Sequence, residues 1–455
     1  MNLYSLLQQR QDNQQPVRVA VIGCGKFASM FLSQAIRTPG LHIACICDLD
    51  PQRARQSLIA VGWAQNQFEA GSIELACRQR STFISDDASH CIASGPIDII
   101  IDATGDPLAR ILHAGLCVEH GKHIIMVNVE ADALAGPWLA KQAHQAGLVY
   151  SLAYGDQPAL ICEQVDWART LGFDVVCAGK GTKYRPEYHA STPDTVWEYY
   201  GLEPEQARLG GMNPKMFNSF LDGTKSAIEM AAVANATGLA APSQGLQFPS
   251  CPAHLLPERL KPISAGGVLE HKGMVEVVSC LDEQGELLED DLRWGVFVTF
   301  EASSDYVARC FNEYGLHTDS SGRYSTLYRK HHLIGLELGI SVASVAIRNE
   351  ATGYPREFNG DVIATAKRDL GAGEILDGEG GFCVWGKLMP ASDSIQSSAL
   401  PMGLTGGVKL TRAVAKNESL CFDDVQLDSQ HSVVQIVKQM RHSDSQITDP
   451  VRTRT

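Results

Sequence analysis

Residues 17–30 read Val-Arg-Val-Ala-Val-Ile-Gly-Cys-Gly-Lys-Phe-Ala-Ser-Met, an apolar run that ends in Gly23-x-Gly25-x-x-Ala28 and passes directly into a helical pattern. The chemistry open to such a stretch is to hold a dinucleotide. Gly23 permits a tight turn, Gly25 lets the backbone approach a diphosphate, and Ala28 allows close packing of helix on strand. The free N–H groups of the helix start, at Lys26 and Phe27, face the negative charge. Roughly 20 residues further on, where a ribose-binding carboxylate is expected, Asp48 closes a second apolar run, His42–Cys47. A carboxylate there favours NAD(H). A 2′-phosphate would need basic company, for which Arg53 and Arg55 are the near candidates.

A second group of chemically able residues lies in 179–214, which is long, polar and aromatic: Lys180, Lys183, Tyr184, Arg185, Glu187, Tyr188, His189, Asp194 and Trp197. A stretch of this length is a cover or disordered, and so many aromatics argue for an active-site cover. Beyond it, Asn218, Asp222, Lys225 and Glu229 fall at spacings of four, three and four, on one face of one helix. The helix continues as Met-Ala-Ala-Val-Ala, so that face either looks into a cleft or is a salt-bridged solvent face.

These residues need elements to position them. Up to about residue 155 the chain alternates strand and helix, predicting a doubly wound parallel sheet of the Rossmann kind. Its further strands, Ile97–Asp102 and His123–Asn128, place Thr104, Gly105, Asn128 and Glu130 beyond the strand ends, around the cofactor. Residues 156–350 read as an α+β catalytic domain with β runs at Gly273–Cys280 and Trp294–Phe300 and an apolar run at Leu333–Ile347. Residues 351–430 hold a loose repeat, Val362–Leu376 and Val408–Leu420, similar to the SAF (antifreeze-like) β module. Residues 431–455 read as a short helix and a disordered tail from Arg441. With 455 residues, about three domains are expected.

The formal charge of −14 argues against nucleic acid or an anionic membrane as the partner, and an anionic substrate needs a local basic pocket. Thirteen scattered cysteines without a Cys-x-x-Cys pair read as reduced core residues. Met1–Gln15 is polar, with no apolar core of the signal-peptide kind, and no window reaches membrane-spanning length; the expected location is the cytoplasm.

The segment from Gly23 to Glu130, the Tyr154-Gly-Asp-Gln-Pro turn, Gly179-Lys-Gly-Thr-Lys-Tyr, Asn218-Ser-Phe-Leu-Asp-Gly-Thr-Lys and the SAF-like end together resemble the 1-deoxy-D-xylulose 5-phosphate reductoisomerase-like family. That family is similar to homoserine dehydrogenases, echoed here by Val127-Asn128 and Asp222-Gly223-Thr224. The resemblance implies a homodimer that converts 1-deoxyxylulose 5-phosphate to 2-C-methylerythritol 4-phosphate with NADPH and a divalent cation. The alternative is a simpler NAD(P)-dependent oxidoreductase acting on a homoserine-like substrate, a sugar acid or a polyol phosphate. For either, Lys183, Asp222, Lys225 and His189 supply acids, bases and cations, and Lys180 and Arg185 could take a phosphate. Asp156, Glu163, Glu187 and Asp194 are the candidate ligands for magnesium or manganese.

Overall fold

The structure, a computed structural model, describes residues 2–445. The chain divides into two units: one runs to Leu160 and includes His332–Arg356, and the other comprises Ile161–His331 and the chain from Glu357.

In the first unit, six short apolar runs form β1 (Val17–Ile22), β2 (Leu41–Cys47), β3 (Phe83–Ser85), β4 (Ile99–Asp102), β5 (His123–Met126) and β6 (Tyr150–Leu152). They make one parallel sheet in the order β3-β2-β1-β4-β5-β6. Val19, Val21, Ile99, Ile100 and Ile101 are fully buried, as strands covered by helices on both faces require. Asp50 and Asp106 cap the helices Pro51–Ala60 and Pro107–Glu119, each with proline as the first helical residue. The strand order reverses between β1 and β4, so a ligand belongs at the carboxyl ends of these strands.

Residues 332–350, expected in the catalytic domain, belong to the first unit. Leu338, Val342, Ala343 and Val345 join the core of Val19, Phe31, Leu32 and Ile101. The Leu152 N–H donates to Gly353 O at 2.8 Å, satisfying the edge strand. Gly335, at φ 76°, lies so close to helix Lys26–Ala35 that a Cβ would meet Phe27 O at 2.9 Å. The apolar run Leu333–Ile347 is therefore the missing cover of the dinucleotide sheet.

In the second unit, β7 (Asp174–Thr182), β8 (Met274–Ser279), β9 (Val296–Glu301) and β10 (Tyr324–Arg329) form a mixed sheet in the order β10-β9-β7-β8. Five further strands follow: β11 (Gly360–Ala366), β12 (Ile375–Asp377), β13 (Val384–Pro390), β14 (Gly406–Leu410) and β15 (Val425–Gln426). They form the antiparallel pair β11-β13 and the sheet β12-β14-β15. The two repeat copies face each other, since Leu370 and Val414 exchange both backbone hydrogen bonds at 2.9 and 3.0 Å. The expected boundary at 350/351 does not separate this β part from the rest of its unit. The buried helix Thr224–Thr237 packs on β8, β11 and β13, and Asn235 Oδ1 accepts from the Asn359 and Gly360 N–H groups.

Two further expectations are corrected. Residues 183–213 are no structureless cover: they form the short helices Pro186–Ala190, Val196–Tyr200 and Pro204–Leu209. Their aromatics are spent on a small core of Tyr188, Val196, Trp197, Ala207, Leu221, Cys280 and Leu281. The tail expected from Arg441 begins inside the helix Ser432–Ser445, where Arg441 is buried and bonds Asp361 and Ser394 O; residues 446–455 lie outside the described residues. All thirteen cysteines are free thiols. Among the described residues no helix is long and apolar enough to cross a membrane.

Candidate functional site

The two glycines of the first turn differ in what they need. Gly23 has φ 88°, and a Cβ would sit 2.8 Å from Ala103 O, so the fold itself excludes a side chain. Gly25 has φ −79°, open to any residue, and a Cβ would meet nothing within 4 Å. The protein gives no reason for glycine there, whereas a ligand lying on the backbone does. Helix Lys26–Ala35 starts at this point without a side-chain cap, so its first N–H groups are left for an anion. Lys26 is exposed at this start and Phe27 packs against the core. These residues fit a dinucleotide pyrophosphate.

Asp48 is buried, and both its oxygens are engaged. Oδ2 accepts from the Cys24 N–H at 2.7 Å; Oδ1 accepts from the Asp50 N–H at 2.9 Å and from Arg53 at 2.6 Å. It ties the glycine turn to the end of β2. The exposed groups at this strand end are Asp50 and Leu49, the latter 95% exposed.

Past β4 and β5, Arg110 gathers three of the expected cofactor residues. Its fully buried guanidinium donates to Thr104 O, to Asn128 O at 3.3 Å and to Glu130 Oε2 at 3.0 Å; Asn128 Nδ2 also donates to Thr104 O at 3.1 Å. Thr104 donates from its N–H and its hydroxyl to Asp102, whose other oxygen holds His113 Nδ1 at 2.7 Å. Gly105 stays exposed beside them, with open space where a Cβ would be. Sequence reasoning passed over Arg110, yet a single cation among Leu108, Ile111, Ala114 and Cys117 in an apolar helix was a readable signal of a buried partner. It also missed Asp132, whose Oδ1 accepts from Tyr150 Oη at 2.7 Å while Oδ2 has no partner. Burial pushes this carboxyl up to about 7.

The acid–base residues belong to the second unit. The single helix expected to carry Asn218 through Glu229 is two, Pro214–Leu221 and Thr224–Thr237, because Gly223 turns the chain at φ 89°. The polar row is therefore not one face. Asn218 holds Ser191 and Gly380; Asp222 forms a fully buried ion pair with Lys367 at 2.7 Å, which also donates to Ser191 O and Gly381 O; Glu229 pairs with Lys180. Lys225 is half-buried in the first turn of the second helix. Lys367, from the end of β11, had no signal in sequence, since its partner lies 145 positions away.

His189 sits between two rings of opposite role. Its Nδ1 lies 2.7 Å from Asp222 O, which can only accept, so Nδ1 carries the proton and Nε2 accepts from Tyr184 Oη at 2.9 Å. It stacks on Trp385 at 3.7 Å. Burial lowers its pKa, keeping the imidazole neutral. Lys183, half-buried, donates to Tyr199 O and lies over the Tyr200 ring at 5.7 Å. Burial, with Arg293 adding to it, lowers its pKa, which brings its proton exchange toward neutrality.

The expected metal ligands do not converge. Asp156 is buried in the first unit and accepts from the Gln157 N–H; Glu163 and Asp194 are exposed; Glu187 pairs with Arg185 at 2.7 Å on the surface. Among the described residues no group of three or more His, Cys, Asp or Glu side chains could hold a metal ion. The donor set required for a bound divalent cation does not fit these residues.

Residues 155–338 match the model of the catalytic domain of oxidoreductase DRL. No curated protein matches the chain. Among solved structures, an oxidoreductase from Agrobacterium radiobacter in complex with NAD+, L-tartaric acid and magnesium is 19% identical with TM-score 0.26, over 37% of this chain and 44% of that one. The chain thus spans less than half the length of that protein. Scyllo-inositol dehydrogenase from Lactobacillus casei is 10% identical with TM-score 0.37, over 75% of this chain and 92% of that one. Biliverdin reductase from Synechocystis sp. PCC 6803 is 17% identical with TM-score 0.24, over 38% and 49%. A sheet of dinucleotide-binding topology thus precedes a segment that matches an oxidoreductase catalytic domain.

Proposed function

We propose that the protein reduces a carbonyl, or oxidises the corresponding alcohol, on a small phosphorylated or acidic carbohydrate-like substrate, leaving its carbon skeleton intact. The observation that carries this reading is the unstrained, open Gly25 at a bare helix start. The backbone of residues 23–27 would hold the pyrophosphate, and the exposed Leu49 offers an apolar surface to the adenine ring. When bound, the nicotinamide supplies or accepts the hydride. Lys183 moves the accompanying proton: in reduction its ammonium gives Nζ–H to the forming alkoxide, and in oxidation the neutral amine takes the hydroxyl proton. Neutral His189, fixed by Asp222 O and Tyr184, orients that hydroxyl group of Tyr184 and does not itself add charge.

A second reading, the reductoisomerase, is favoured by the sequence resemblance. It requires a cation on the oxygen beside the migrating carbon, and the carboxylates named for that cation are not gathered as ligands. This leaves the skeleton-retaining reading ahead. The test follows NADPH and NADH oxidation with 1-deoxyxylulose 5-phosphate, aspartate semialdehyde and keto derivatives of sugar acids in parallel, with the product's carbon skeleton read by NMR. Lys183→Met is expected to lower turnover on the order of a hundredfold, near 3 kcal/mol of barrier, with cofactor binding retained. Near-parental turnover in that variant would remove Lys183 from the chemistry, and a branched product would replace this reading with the second.

A further inference from the structure

The second unit holds a cavity of about 240 Å³ that the assignments above leave without a ligand. His189, Gly223, Phe248, Trp385, Lys387 and Asn417 are among its walls, and no aspartate or glutamate lines it. Two of these residues carry donors with nothing to donate to. Lys387, half-buried on β13, has no carboxylate or other hydrogen-bond partner among the described residues. The indole N–H of Trp385 is buried and has no acceptor, although the ring itself is fixed by stacking on His189 at 3.7 Å. Helix Thr224–Thr237 also starts at Gly223 on the cavity wall, and its first N–H, that of Thr224, donates to Asp222 Oδ1 at 2.9 Å. The buried indole N–H without an acceptor costs free energy that an anion placed between it and the Lys387 ammonium would return.

We propose that this cavity binds the anionic end, phosphate or carboxylate, of a small molecule, with the Lys387 ammonium and the Trp385 indole N–H as its donors. The volume lies below the roughly 300–1,000 Å³ of pockets for drug-sized ligands, which fits a sugar phosphate or sugar acid. Lysine serves as a point charge here and does not impose a forked geometry, so either anion is accepted. The identity of the ligand as the substrate's own anionic group rests on the proposed function; the anion site itself rests on the cavity and its unpartnered donors. It gives the C-terminal β part, through β13, a direct share in substrate selection.

The test titrates the intact protein with inorganic phosphate and with acetate at constant ionic strength, by calorimetry and tryptophan fluorescence. Saturable binding of at least one anion is expected, weakened about tenfold or more in Lys387→Met and restored in Lys387→Arg. Trp385→Phe, which keeps the ring and removes the N–H, is expected to weaken it less, and melting curves confirm that the variants are folded. If neither anion binds saturably, or if both substituted proteins bind like the parent, the proposal is overturned. Competition between phosphate and the substrate identified by the oxidation assay assigns the site to the substrate's own anion, and non-competitive inhibition assigns it to a free anion; both retain the site. NAD(P)H titration of the same protein reports separately on the oxidoreductase reading, so failure of one is distinct from failure of the other.

Discussion

Asp132 lies in the first turn of helix Glu130–Gln145, where the macrodipole favours a charge, yet it is wholly buried and one of its oxygens has no partner. Burial wins and raises its carboxyl from 3.8 to about 7. The folded protein thus holds this proton more tightly than the unfolded chain, so the contribution to stability is present below the unfolded value and is lost as pH rises through about 7. Asp132→Asn keeps an acceptor for Tyr150 and has no such proton to lose. Its melting temperature relative to the parent is expected to rise by a few degrees between about pH 5 and about pH 9. A difference that stays constant across that range would show that Asp132 remains ionised in the fold. Neither this group nor Arg110 was chosen from sequence, because a charged letter inside an apolar helix does not say which side chains of other elements will surround it. Asp48 shows the converse: its position at the end of β2 was legible, whereas the use of both its oxygens by Cys24, Asp50 and Arg53 depends on a turn geometry that spacing does not encode.

Among elements, the βα turn was read most completely, since continuous β-branched runs such as Val17–Ile22 and Ile99–Asp102 leave few alternatives once proline and aspartate mark the helix starts. The turn also separates two roles of glycine by experiment. Gly25→Val is expected to fold with a near-parental melting temperature and to bind NAD(P)H at least about tenfold more weakly. Gly23→Ala should instead destabilise the first unit, its Cβ meeting Ala103 O at 2.8 Å under a left-handed backbone. Equal cofactor affinity in the Gly25 variant would sink the dinucleotide assignment. The segment 179–214 was misread for a physical reason: aromatic density signals a packed site of some kind, and here Trp197 and Tyr188 pack on Leu221 and Cys280 to stabilise short helices. Likewise, Asn218 to Glu229 were read as one helix from their spacing alone, and Asp222-Gly223 ended one helix and began another.

At the scale of the molecule, the return of residues 332–356 to the first unit links cofactor binding to a segment remote in sequence. Gly335→Val would drive a side chain toward Phe27 O and the Met30 side chain from a backbone at φ 76°. It is expected to destabilise the first unit by about 1–3 kcal/mol and to weaken NAD(P)H binding, with both read by calorimetry of the intact protein. Unchanged cofactor affinity would mean that helix Lys26–Ala35 does not depend on this cover. The same connectivity sets a schedule for synthesis. The chain passes between its two units at residues 160–161, 331–332 and 356–357, so the ribosome delivers Leu338, Val342 and Val345 only after 161–331 have emerged. A nascent dinucleotide sheet must wait with its apolar side uncovered through that interval, and at roughly 5–20 residues per second the wait lasts on the order of ten seconds or more. The stretch of growth between residues 160 and 345 is therefore when this protein would most need a chaperone.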